Sequence, residues 1–121
     1  MQNYKGLRVW QKAHFFTLKV YEASTLFPKE EIYSLTNQLR RSASSIPANI
    51  AEGCGKNSKQ EFAHFLNISL GSANEAEYFL LLSKDLKYMI EEKFLELTNI
   101  VNEIKAMLIL LIGKVRKVPK T

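Results

Sequence analysis

From Phe94 onward the apolar residues fall at alternating steps of three and four: Phe94, Leu97, Val101, Ile104, Leu108, Leu111 and Val115. A backbone that turns once every 3.6 residues or so lines all of them along one stripe, whereas a strand would scatter them over both faces. The spacing predicts a long amphipathic helix from about Glu91 to Arg116, which can bury its stripe only against other helices. Leu95, Ile100, Met107, Ile109, Leu110 and Ile112 lie off that stripe. A second apolar surface therefore remains after the first is packed.

The rest of the chain has to supply the partners, and it repeats the same period. Val9, Ala13, Phe16, Val20 and Ala23 mark a helix over 7–26, flanked by Trp10, Phe15, Leu18 and Tyr21 and ended by Pro28. Ile32, Leu35, Leu39, Ala43, Ile46 and Ile50 mark a second over 30–53, with Glu30 and Glu31 placed in its first turn to favour the helix dipole. Pro47 inside it predicts a kink relieved by Ser44 or Ser45, and Gly53 or Gly55 a left-handed exit. The third, over 58–88, opens with Ser58 and Glu61 as a capping box. Its stripe of Phe62, Leu66, Ser69, Ala73, Ala76, Leu80 and Ser83 is small in the middle, which calls for a large side chain opposite, Trp10 or Phe16.

Connections of a few residues make sequence neighbours antiparallel. The expected architecture is all-α: an antiparallel up-down four-helix bundle, one domain over 1–121. With 46% hydrophobic and 24% charged residues the chain can bury a core without a disulfide or a structural metal. The surplus apolar surface on the first and fourth helices predicts a homo-oligomer. The apolar run Ala106 to Ile112 is too short to span a bilayer, the first residues lack a signal-peptide pattern, and Cys54 has no partner for an internal disulfide. The expected location is the cytoplasm, without membrane attachment.

Charge is distributed unevenly. Lys and Arg outnumber Asp and Glu up to Lys59, the acids prevail from Gln60 to Ile112, and Lys114, Arg116, Lys117 and Lys120 follow. In a folded-back bundle this division predicts a basic face, and at net +5 an anionic partner. The candidate phosphate-binding residues are Arg8, Lys12, Arg40, Arg41, Lys56 and Lys59. Arg40 and Arg41 are adjacent, so only one of them can flank the core. No helix-turn-helix, zinc-finger or ribonucleoprotein signature is present, and binding would be mainly to phosphates, RNA or DNA alike.

Catalysis has little to stand on. Cys54, His14 and His64 are the residues from which a thiol and a base would be drawn, but no nucleophile motif surrounds Cys54. Glu75 and Glu77 face different ways with no Glu-x-x-His motif beside them, so neither metal nor cofactor is expected.

One stretch is more particular than its helical period requires: Arg40-Arg41-Ser42-Ala43-Ser44-Ser45-Ile46-Pro47-Ala48-Asn49-Ile50-Ala51-Glu52-Gly53. With Leu7-Arg8-Val9-Trp10-Gln11-Lys12-Ala13, Glu61-Phe62-Ala63-His64-Phe65-Leu66 and the Gly71-Ser72-Ala73-Asn74-Glu75-Ala76-Glu77 segment, it resembles a bacterial family of four-helix bundles. That family was first named for reading frames in the intervening sequences of 23S ribosomal RNA. The accessory variability proteins of diversity-generating retroelements are similar more distantly. The resemblance spans about Tyr4 to Arg116. It implies a ring-shaped homopentamer with a basic, nucleic-acid-binding surface, contact with a reverse transcriptase in the retroelement relatives, and no catalysis. The alternative function is a protein-interaction scaffold whose basic charge is incidental.

Overall fold

The computed structural model describes residues 2–117. It places four helices, α1 (Arg8–Ser24), α2 (Leu35–Cys54), α3 (Lys59–Asp85) and α4 (Glu91–Arg116), with short 3-10 turns at Tyr4–Gly6 and Lys29–Glu31. No strand occurs among the described residues. Each helix packs on its two neighbours around a square: α1 on α2 and α4, α3 on α2 and α4, leaving α1 and α3 on a diagonal. Phe16, Leu39, Ile46, Ile50, Leu66, Leu80, Leu97, Ile104 and Leu108 are fully enclosed in the shared core. The α4 stripe thus does what its spacing demands, with one adjustment near the end: Ile112 is buried and Leu111 only half so.

The second helix starts later than its apolar period suggests. Pro28 leads into a 3-10 turn, and Glu30 and Glu31 precede the helix instead of forming its first turn. Glu31 acts from outside: one carboxylate oxygen accepts from the Leu35 amide at 3.4 Å and the other from the Tyr88 hydroxyl at 2.8 Å. That placement satisfies an otherwise orphaned amide and ties α2 to the α3–α4 connection. Ile32 is left half exposed. At the other end of α3, Lys87 takes the left-handed conformation (φ 66°), and the Tyr88 amide reaches back to the Ser83 carbonyl at 2.9 Å. This is a Schellman ending built without glycine.

Pro47 lies within α2, and the carbonyl that its missing N–H would have bonded is that of Ala43. The group that faces it is neither Ser44 nor Ser45 but Thr17 on α1, whose single hydroxyl hydrogen is shared between the Ala13 carbonyl at 2.8 Å and the Ala43 carbonyl at 3.1 Å. Ser44 instead donates to the Arg41 carbonyl, and the Ser45 carbonyl accepts from the Asn49 side chain. Thr17→Val keeps the shape and removes the donor, and should lower the unfolding free energy by about 1–3 kcal/mol in urea titrations. Pro47→Ala restores an N–H for that carbonyl, so the cost of Thr17→Val should shrink in its presence.

Helix α3 has its small stripe because α2 comes close. The Ser69 hydroxyl donates to the Ile46 carbonyl at 2.9 Å, so at that position the α2 backbone closes on α3. Phe16 is enclosed in the common core with Ala73 and Ala76, and Trp10 packs half-buried against that core. Gly53 is another close point of the same contact. A Cβ there would meet Phe62 Cδ1 and Phe65 Cβ at 3.0 Å and the Phe62 carbonyl at 3.3 Å. Neither it nor Gly55 has a positive φ, so α2 ends without a left-handed residue. The glycine serves close approach rather than an unusual turn.

Much of the charge asymmetry is consumed inside the bundle. Lys12 pairs with Glu103 and Lys19 with Glu96, both at 2.8 Å, across the α1–α4 seam, and Lys105 with Glu77 at 2.7 Å across α3–α4. Hydrogen bonds from Lys19 and then Lys93 hold the Glu96 carboxyl at about 2, below its ordinary 4.5. A carboxyl lowered in the folded state stabilises above its unfolded value and loses that contribution as pH falls towards the folded one. The melting temperature of Glu96→Gln should therefore fall less steeply than that of the parent between pH 4.5 and 2.

Candidate functional site

An up-down bundle collects alternate helix ends at each pole. Here the start of α1, the end of α2, the start of α3 and the end of α4 meet at one end. The Gln2 amide donates to the Cys54 carbonyl at 3.1 Å, which fastens the segment before α1 to the end of α2. Beside it a shallow pocket of about 200 Å³ is lined by Gln2, Gly53, Cys54, Lys56, Asn57, Ser58, Lys59 and Phe62. A second, half-open pocket of about 490 Å³ lies between α3 and α4, lined by Lys59, Gln60, Ala63, His64, Val115 and Arg116. Lys59 borders both.

This pole gathers Lys5, Arg8, Lys56, Lys59, Lys114, Arg116 and Lys117, against Glu52 and Glu61. The opposite pole carries Glu30, Glu31, Asp85, Glu91 and Glu92 among its lysines. The expected basic face is thus a basic end. The cause is topological: the end of the basic first half and the basic C-terminal residues fold to the same pole, while the lysines along α1 are paired by the acids of α4. Lys120 lies outside the described residues.

The candidate residues separate accordingly. Arg8 and Lys59 are exposed and make no ion pair among the described residues. Lys56 stays at the pole but is shared, 3.2 Å from Glu52 and 5.2 Å from the centre of the Phe65 ring. Lys12 is committed to Glu103 in a groove between α1 and α4 that also includes Arg8, Phe15 and Met107.

Arg40 is a brace between helices. Its Nε donates to the Ser24 hydroxyl at 2.7 Å, it reaches the Tyr21 carbonyl at 3.4 Å, and its guanidinium lies 4.9 Å from the Tyr21 ring centre. Arg41 is exposed, in a separate groove with Asn37, Gln38, Glu75 and Phe79. As their adjacency requires, only one of the two arginines flanks the core. Neither joins the basic pole. Arg116, expected only as part of a basic tail, does. Its signal was the register of α4, which runs far enough to carry residue 116 opposite the start of α3.

The three residues considered for nucleophilic chemistry have different surroundings. Cys54 is buried, and burial pushes its thiol above the ordinary range. His64 lines the α3–α4 pocket, edge-on to Phe65, and His14 stacks on Trp10. What the pole offers chemically is donors and positive charge: ammonium and guanidinium groups around an open pocket whose lining contains no carboxylate. Phosphate oxygens suit such a surface.

A family model described as 23S rRNA-intervening sequence protein matches residues 5–110. Among solved structures, the chain is similar to a protein of unknown function from the S23 ribosomal protein family of Bacteroides thetaiotaomicron VPI-5482. The two are 32% identical over 87% of this chain and 95% of that one, with a TM-score of 0.80. No curated protein matches the chain.

Proposed function

We propose, from the premise that this chain belongs to the 23S rRNA-intervening sequence protein family, that it is a non-catalytic accessory protein gripping the phosphate backbone of RNA or DNA through its basic pole. The observation that carries the reading is the pocket between α3 and α4, where Lys59 and Arg116 face one opening lined by no acid. A surface of this kind holds phosphates by charge and releases counterions on binding, so affinity should drop steeply with salt. The reading does not require residence in the ribosome. It requires a polyanion.

Assembly belongs to the same proposal. Phe15, Leu18 and Tyr21 on α1 and Leu95, Ile109 and Leu110 on α4 are each 45–66% exposed, more apolar side chain than one bundle covers. Burying them between copies of the chain would give a homo-oligomer, and a ring of five is the number the family resemblance implies. Sedimentation at micromolar concentration should give a mass several times that of the chain; a monomer contradicts the assembly. These apolar residues also favour the second reading, a scaffold for another protein. The test that separates the readings is salt-titrated binding to structured RNA and to duplex DNA, with Lys59→Glu, Arg116→Glu as the charge-reversal control.

A further inference from the structure

The basic pole carries a feature that phosphate binding alone does not use. Trp10, the one tryptophan, is half-buried at the start of α1, with its ring centre 5.0 Å from that of His14 and the two planes within 8°. Tyr4 meets the same indole edge-to-face, also at 5.0 Å. His14 is exposed, and its ring lies parallel to the indole. The stack is fixed in place by a segment that buries nothing of its own. The Asn3 side chain caps the turn at the Lys5 amide (3.1 Å), Gln11 Nε2 donates to the Lys5 carbonyl (2.9 Å), and the Gln2 amide holds the Cys54 carbonyl. Lys5 lies in that segment and Arg8 at the start of α1, on the side turned towards α4; both are exposed and outside the ion pairs of the described residues.

Aromatic faces interleaved with unpaired cations are what a single strand engages. Each base stacks on a ring while the phosphates follow the positive charge, and a duplex, whose bases are already stacked, cannot do the same. We propose that the Tyr4–Trp10–His14 stack is a platform for an unpaired base, so that the preferred ligand at the basic pole is single-stranded nucleic acid. The proposal rests on the phosphate-binding reading above and narrows its ligand. A base lying on the exposed His14 ring extends the stack by one ring, and the cations of the basic pole are left for the neighbouring phosphates.

Trp10 reports on this directly, because all indole emission comes from it. The full chain is titrated at low salt with oligothymidylate, oligouridylate and a blunt duplex of equal length, reading Trp10 emission and, separately, the anisotropy of a labelled strand. The single strands should quench the emission and bind more tightly than the duplex. His14→Ala should weaken them by about 5- to 100-fold, leave the duplex unchanged, and be rescued by His14→Phe. Equal binding of duplex and single strand, or single-strand binding that leaves Trp10 emission and the His14→Ala affinity unaltered, overturns the platform while leaving the phosphate reading standing. A His14→Ala chain with an altered sedimentation coefficient overturns it too, in favour of contact between copies. Failure of all three probes to bind removes both proposals.

Discussion

A chain carrying Lys59→Glu and Arg116→Glu is expected to bind structured RNA and duplex DNA roughly 10- to 100-fold more weakly than the parent near 0.1 M salt, and with a shallower salt dependence. The two side chains border one pocket without a carboxylate in its lining, so reversing them places repulsion where the phosphates would sit. Each phosphate that the variant leaves unneutralised should reduce the slope of log K against log salt by about 0.9 on duplex DNA and about 0.7 on a single strand. Both residues are outside the core and outside the ion pairs of the described residues, so fold and assembly should persist. Arg40 behaves differently. Its guanidinium joins α1 to α2 through Ser24 and Tyr21, so Arg40→Ala should lower the melting temperature and leave the salt slope intact.

The largest loss of stability from one substitution outside the hydrophobic core is expected at Gly53. Valine there should cost about 3 kcal/mol in denaturant unfolding, from overpacking and a forced shift of the backbone. Two of the neighbours at 3.0–3.3 Å, Phe65 Cβ and the Phe62 carbonyl, cannot swing aside as the end of a long side chain would. Alanine gains about 1 kcal/mol of helix propensity over glycine, which offsets part of the same clash, so Gly53→Ala should be markedly milder. Separating α2 from α3 at this point also displaces Lys56 and Lys59, which lie on and just beyond the connection. Gly53→Val should therefore weaken nucleic-acid binding as well, and an unchanged affinity would place the binding surface elsewhere.

The helices were legible because burial enforces period. Phe62, Leu66, Ser69, Ala73, Ala76 and Leu80 lie on one inward side of α3 as their spacing requires, and the Ser58 side chain accepts from the Glu61 amide at 3.1 Å as its capping box predicts. Misread positions are those where a tertiary partner replaces a local one. Thr17 answers the proline of another helix, Glu31 is drawn out of the helix it was assigned to and accepts from Tyr88, and Gly53 answers two phenylalanines across the α2–α3 contact. Thr17 and Ala43 lie 26 residues apart and Glu31 and Tyr88 lie 57 apart, so no local window contains both members of either pair.

The gathering of cations at one pole was half legible for the same reason. Arg8, Lys56 and Lys59 are at the pole, whereas Arg40 and Arg41, singled out by a distinctive motif, are not. That motif is spent mainly on the fold. Ser42, Ala43, Ile46, Pro47, Ile50 and Gly53 are buried, the carbonyls of Ala43 and Ile46 accept from neighbouring helices, and Arg40 braces α1. Summed charge set only the expectation of an anionic partner, and which cations stay unpaired depends on how α4 lies along α1.

The most direct test is equilibrium binding of the unmodified protein to structured RNA and duplex DNA as salt is raised. The account predicts retention at low salt that falls linearly in log K against log salt, with a slope reduced by Lys59→Glu, Arg116→Glu. No retention of either nucleic acid at low salt would contradict it.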